Sequence, residues 1–206
     1  MPTVLVVPQE TSPSASLTLT ARSADSLPSG AHTIEADLRE PDAGQRIIDA
    51  ARAHHGRIDG VVIAAGITAF GPLAEIDDDT VDDLVLVDFL GPLRVLRAAL
   101  PVVEPGGVIA SISAVLAEQP VGGMATYSAV KAAASALFIA TAKEARRSKI
   151  RVLDIRPPHT KTGLADRAIA GQAPRMPAGA DPDAVVARIV AALVGGERDL
   201  PSSAFA

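Results

Sequence analysis

Tyr127, the only tyrosine in the 206-residue chain, stands four residues before Lys131 in the run Thr126-Tyr127-Ser128-Ala129-Val130-Lys131. Residues i and i+4 share one face of a helix, so a protonated lysine there can draw the phenol's pKa down from its ordinary value of about 10. The pair reads as a proton donor or acceptor for an oxygen atom. Taken alone, the same spacing also describes a plain solvated helix face, so the rest of the chain has to decide. One fact limits the chemistry at once: no glycine precedes Gly30, so the front of the chain lacks the usual means of bringing backbone close to a nucleotide's phosphates.

Composition narrows the alternatives. With 48% hydrophobic and 21% charged residues the chain suits one well-buried domain over residues 1–206. A net charge of −5, and no basic run longer than Arg146-Arg147 plus Lys149, argue against a nucleic-acid partner. The absence of cysteine excludes disulfides, thiol nucleophiles and cysteine metal sites. His32, His54, His55 and His159 lack ligand spacing, the His54-His55 pair reads as a helix end facing water, and no metal site is expected. Residues 1–7 read as a strand stopped by Pro8 and not as a signal peptide. No apolar run approaches the ~20 residues of a membrane span, so the expected location is the cytoplasm, with no membrane partner.

Short apolar runs alternate with helical patterns, the mark of a parallel sheet covered by helices. Thr3 to Val7, Leu17 to Ala21, His32 to Ala36, Gly60 to Ala64, Gly107 to Ile112 and Ile150 to Ile155 read as strands. Helices are expected over Asp42 to His55, Asp77 to Leu100, Tyr127 to Arg147 and Pro182 to Val194. The polar link between Val7 and Leu17 has no helical periodicity. It can still span a short strand, so a shortened parallel crossover is the expectation, and it would leave part of the sheet bare for the C-terminal helix to cover in part. The Pro- and Gly-rich stretch Gln172 to Pro182 reads either as a substrate lid or as a solvated connector.

From Leu17 to about Gly195 the chain resembles the short-chain dehydrogenase/reductase family. The resemblance is carried, in the family's order, by Leu19-Thr20-Ala21-Arg22, Glu35-Ala36-Asp37-Leu38, Val61-Val62-Ile63-Ala64-Ala65-Gly66-Ile67, Gly107-Val108-Ile109-Ala110-Ser111-Ile112-Ser113, Tyr127-Ser128-Ala129-Val130-Lys131 and Arg156-Pro157-Pro158-His159-Thr160-Lys161-Thr162. It implies a three-layer, doubly wound α/β fold of Rossmann type, a nicotinamide cofactor at the carboxyl edge of the sheet, and Tyr127 as acid or base, with Lys131 lowering its pKa and holding the cofactor's ribose. Arg22 matches a residue that accepts a 2′-phosphate and Asp37 one beside the adenine. Gly66 and Thr160 fall at further cofactor positions, should a dinucleotide bind.

Several positions depart from the family pattern. Pro8-Gln9-Glu10 stands where a glycine-rich turn would hold the pyrophosphate, and a carboxylate there repels phosphate. Asp88 replaces the helix asparagine that holds a proton-relay water. Ala114 stands thirteen residues before the tyrosine, where the substrate-binding serine belongs, and Ser113 serves only if a bulge or a one-residue loop insertion shifts the register. Pro158 replaces a glycine.

Three functions follow from these residues. The first is an atypical enzyme using Tyr127, Lys131, Ser113 and Asp88 at a carbonyl or hydroxyl carbon of a small, largely aliphatic substrate, with NADP weak or lost, as an isomerase, dehydratase or cyclase. The second is a weakly binding NADP-dependent carbonyl reductase. The third is a non-catalytic subunit. A homodimer through the two long helices, or a mixed complex with an intact relative, is expected for each.

Overall fold

The computed structural model describes residues 4–7 and 16–205. The six strands β1 (Val4–Val7), β2 (Thr18–Ala21), β3 (His32–Glu35), β4 (Ile58–Ile63), β5 (Val103–Ile112) and β6 (Arg151–Ile155) form one sheet in the order β3-β2-β1-β4-β5-β6. Five strands run in the same direction, and β1 runs antiparallel to both of its neighbours, β2 and β4. The three-layer α/β class therefore holds, but the expected first parallel crossover does not, because β1 and β2 are antiparallel neighbours. Antiparallel neighbours can be joined without a helix, and the nine-residue link between Val7 and Leu17 contains none of the apolar periodicity a crossover helix needs. The Pro8-Gln9-Glu10 expectation lies outside the described residues.

Helices α1 (Ala43–His55), α2 (Asp78–Val85), α3 (Gly91–Ala99), α4 (Ala125–Glu144) and α5 (Pro182–Gly195) cover the sheet. α1, α3 and α4 bury Ile47, Ile48, Val95, Ala99 and Phe138 against Val61, Ile63, Ile109 and Val152 on one face. On the other face α5 packs Val185, Ile189 and Ala192 on Ala110, Leu153 and Ile155. β2 is buried along its whole length, so it is not left bare as the missing crossover helix would suggest.

Local chemistry sets the ends of these helices. α1 stops at Gly56, whose φ of 78° is left-handed and whose N–H donates to Arg52 O at 2.8 Å. α2 opens at Asp77, which accepts from the Thr80 N–H at 2.7 Å, and α5 opens at Asp181, which accepts from the Ala184 N–H at 3.1 Å.

The helix expected to run unbroken from Asp77 to Leu100 is divided by a π-helical turn at Leu86–Leu90. Pro92 has no N–H to give the carbonyl of Asp88 four residues earlier, and its ring crowds that carbonyl. The Gly91 N–H reaches back five residues to Leu86 O instead. Asp88 sits inside this turn.

Candidate active site

The carboxyl ends of β4 and β5, the π-helical turn and the first turns of α4 meet around three side chains. Asp88 and Lys131 are both buried, and Lys131 Nζ lies 3.3 Å from Asp88 Oδ1. The same oxygen accepts the Ile67 backbone N–H at 3.2 Å. Lys131 Nζ also sits 5.6 Å from the centre of the Tyr127 ring, and Tyr127 is 6% exposed. The structure therefore brings Tyr127, Lys131 and Asp88 together. Gly66 closes the group from the β4 side, because a Cβ there would stand 3.3 Å from both Asp88 Oδ1 and Lys131 Nζ.

Burial and charge act against one another here. Burial would lower the lysine's pKa, but the Asp88 carboxylate and the Tyr127 phenol raise it, so Lys131 keeps its proton. Burial pushes the Asp88 carboxyl up, and the Lys131 charge and the Ile67 N–H pull it part of the way back. The Tyr127 phenol is pushed up by burial, pulled down by Lys131 and pushed up again by Asp88, with a net rise. The sequence leads one to expect a lowered phenol. Burial overturns this first, and Asp88 adds to it by opposing the lysine that would lower the phenol.

Ser113 is placed differently from the expectation. Its N–H and its hydroxyl donate to Ile155 O at 2.8 and 3.1 Å, and Ala114 is the residue that joins the apolar cluster around Tyr127 with Leu84 and Val130. No bulge relieves this, since β5 and β6 stay in register through Ile112 and Ile155. Beside Tyr127 lies a small depression of ≈ 10 Å³, about the room of one water, whose walls include Ala69, Leu73, Ile76, Leu84 and Met124. Its lining is mostly apolar.

The residues expected to hold a cofactor are more scattered. Arg22 follows the end of β2 and is exposed. Asp37 accepts from the Arg39 N–H at 3.0 Å and pairs with its guanidinium at 3.4 Å. The Thr160 hydroxyl donates to Pro158 O at 2.8 Å. β1 pairs Val4 with Ile63 and Val7 with Gly60, so its carboxyl end lies at the amino edge of the other strands, opposite Tyr127. A phosphate-binding turn directly after β1 would stand at the wrong edge.

Sequence reasoning missed a second buried polar group. Arg156, 5% exposed, bonds Asp154 and Glu118 at 2.5 Å and Asp199 at 2.6 Å. Burial would lower its pKa, but these acceptors raise it. Ser135 donates to Asp154 at 2.6 Å, which ties this network to α4. Its only signal in sequence is a charged pair, Asp154 and Arg156, at the end of an otherwise apolar strand.

A family model described as short chain dehydrogenase matches residues 3–173. The chain belongs to the short-chain dehydrogenase/reductase family. Among curated relatives, the short chain dehydrogenase/reductase AacuN of Aspergillus aculeatus is 33% identical over 140 residues, which is 68% of this chain and 53% of that protein, about half its length. Oxidoreductase UcpA of Escherichia coli is 29% identical over 78% of this chain and 60% of its own. Among solved structures, a short-chain dehydrogenase from Streptomyces avermitilis superposes with a TM-score of 0.76 at 25% identity, over 91% of this chain and 79% of the other. Among the described residues no helix is long and apolar enough to cross a membrane.

Proposed function

We propose that this short-chain dehydrogenase/reductase acts on a small aliphatic carbonyl or hydroxyl compound through Tyr127 as a neutral proton donor, with a nicotinamide dinucleotide held weakly or not at all. The observation that carries the reading is the 3.3 Å contact between Lys131 and Asp88 beneath the tyrosine. Buried, and beside a lysine that Asp88 neutralises, the phenol keeps its proton through neutral pH and can give it to an oxygen brought against it. A buried donor aimed at an oxygen that gains charge favours isomerisation, dehydration or ring closure. The reversed direction of β1 supports the cofactor half of the proposal, because it removes the place where backbone would cradle the pyrophosphate.

A second reading, an NADP-dependent carbonyl reductase, is favoured by exposed Arg22 just past β2. The alcohol dehydrogenase of Thermococcus sibiricus, a fold neighbour with a TM-score of 0.74 and 22% identity, is complexed with 5-hydroxy-NADP. Assembly through α3 and α4, with a second copy or with an intact relative, belongs to the proposal in either case; Ile139 on α4 is 45% exposed.

The test is a spectroscopic pH titration of the single tyrosine, which no tryptophan obscures. The proposal expects ionisation only above the ordinary phenol range, together with turnover or ligand binding lost in Tyr127→Phe. A raised phenol with no effect of Tyr127→Phe on any carbonyl ligand would leave the non-catalytic subunit as the function.

A further inference from the structure

At the opposite edge of the sheet, three histidines meet. His32 opens β3, while His54 and His55 close α1. The His32 and His54 rings stack with centroids 3.9 Å apart and planes 5° apart, and His55 stands edge-on to His54 at 4.7 Å. One ligating atom from each of the three lies within 4.8 Å of the others. We propose that His32, His54 and His55 form a binding site for a divalent late-transition cation such as Zn²⁺, separate from the Tyr127 site.

Four observations support it. Imidazole is the side chain that suits Zn²⁺, Ni²⁺ and Cu²⁺, and three such ligands with an open position are a known Zn²⁺ set. Zn–N bonds of about 2.0–2.1 Å bring ligand nitrogens to roughly 3.4 Å, so the cluster has to tighten and exposed His54 has to turn out of its stack on His32, because the in-plane lone pairs of parallel rings do not converge on one ion. Behind the rings is a built second layer: Thr18 Oγ1, on a residue 0% exposed, lies 3.0 Å from His32 Nδ1 and 2.8 Å from His55 Nε2. That hydroxyl can accept an N–H from each ring and so hold both in place, as outer-layer partners of metal histidines do. Finally, the cluster lies at the carboxyl end of α1, where the helix dipole favours a cation.

The site would fasten the end of α1 to the edge strand β3. Thr18 and His32 are paired at the starts of β2 and β3, a strand's length from the carboxyl edge that holds Tyr127. The cation is therefore a structural or regulatory ligand and takes no part in the chemistry proposed for Tyr127.

Calorimetric titration of tag-free protein with ZnCl₂, paired with thermal unfolding, tests this. The expected result is one Zn²⁺ per chain, a Tm that rises with Zn²⁺ and not with Mg²⁺, at least 100-fold weaker binding in His54→Ala and in His32→Ala, and about 10- to 100-fold weaker binding in Thr18→Val. His54 is exposed, so His54→Ala reports on ligation without risk to the core. No Zn²⁺ binding by the folded wild type, or binding of equal affinity in His54→Ala and His32→Ala, would overturn the assignment.

Discussion

Replacing Asp88 by asparagine should make Tyr127 easier to ionise. In the wild-type protein the carboxylate lies 3.3 Å from Lys131 Nζ, and the lysine lies 5.6 Å from the tyrosine ring. At an effective dielectric of about 20, unit charges 3.3 Å apart attract by about 5 kcal/mol, and those roughly 6 Å apart by about 3 kcal/mol. The carboxylate thus outweighs the phenol in its hold on the lysine. The asparagine side chain keeps the shape of the group and removes its charge. The carboxylate's repulsion of the phenolate is then gone, while the ammonium's attraction, on the order of 3 kcal/mol, remains. The variant should also be less stable by roughly 3–5 kcal/mol, because Lys131 loses its buried partner. The assay is a pH titration of the phenolate absorbance, run beside urea unfolding to show that the variant is folded. A folded Asp88→Asn protein whose tyrosine ionises at the wild-type pH or higher would refute the electrostatic account of the site.

Three other outcomes follow from the same structure. Gly44→Ala should destabilise the protein by about 1–3 kcal/mol in urea unfolding, although alanine is the better helix former by about 1 kcal/mol, because its Cβ would lie 2.6 Å from the Arg94 backbone of α3. Burial would raise the Glu118 pKa, but hydrogen bonds from Ser202 and Arg156 lower it, so the stability it gives is present above the ordinary carboxylate range and lost as pH falls through its depressed folded value. In Glu118→Gln that acid-side loss should shrink, as read from Tm against pH. Sedimentation should show a dimer at micromolar concentration, and a well-behaved monomer would count against assembly through α3 and α4.

What could be read in advance depended on whether the signal was local. The i, i+4 spacing of Tyr127 and Lys131, the apolar face of α1 with Gly56 after it, and the Asp181-Pro182 start of α5 are each written within a few residues, and each appears where the pattern places it. The direction of β1 is not written locally, because a run of four apolar residues suits a strand of either sense equally well. Pro92 was a usable sign of the break near Asp88, but helical periodicity continues on both sides and hides a one-residue shift. Which of Ser113 and Ala114 faces Tyr127 depends on the register of β5 against β6. The histidine cluster joins residues 22 and 23 apart in sequence (His32 to His54 and His55) through the packing of α1 beside β3, and no spacing rule reaches that far.

The central claim, a retained tyrosine donor on a frame that no longer grips a dinucleotide, is tested most directly by calorimetric titration with NADPH and NADH. The account predicts no binding of micromolar or tighter affinity for either, and the reversed β1 is the reason. Micromolar or tighter binding of NADPH, weakened selectively by Arg22→Ala, would contradict it and establish the reductase reading in its place.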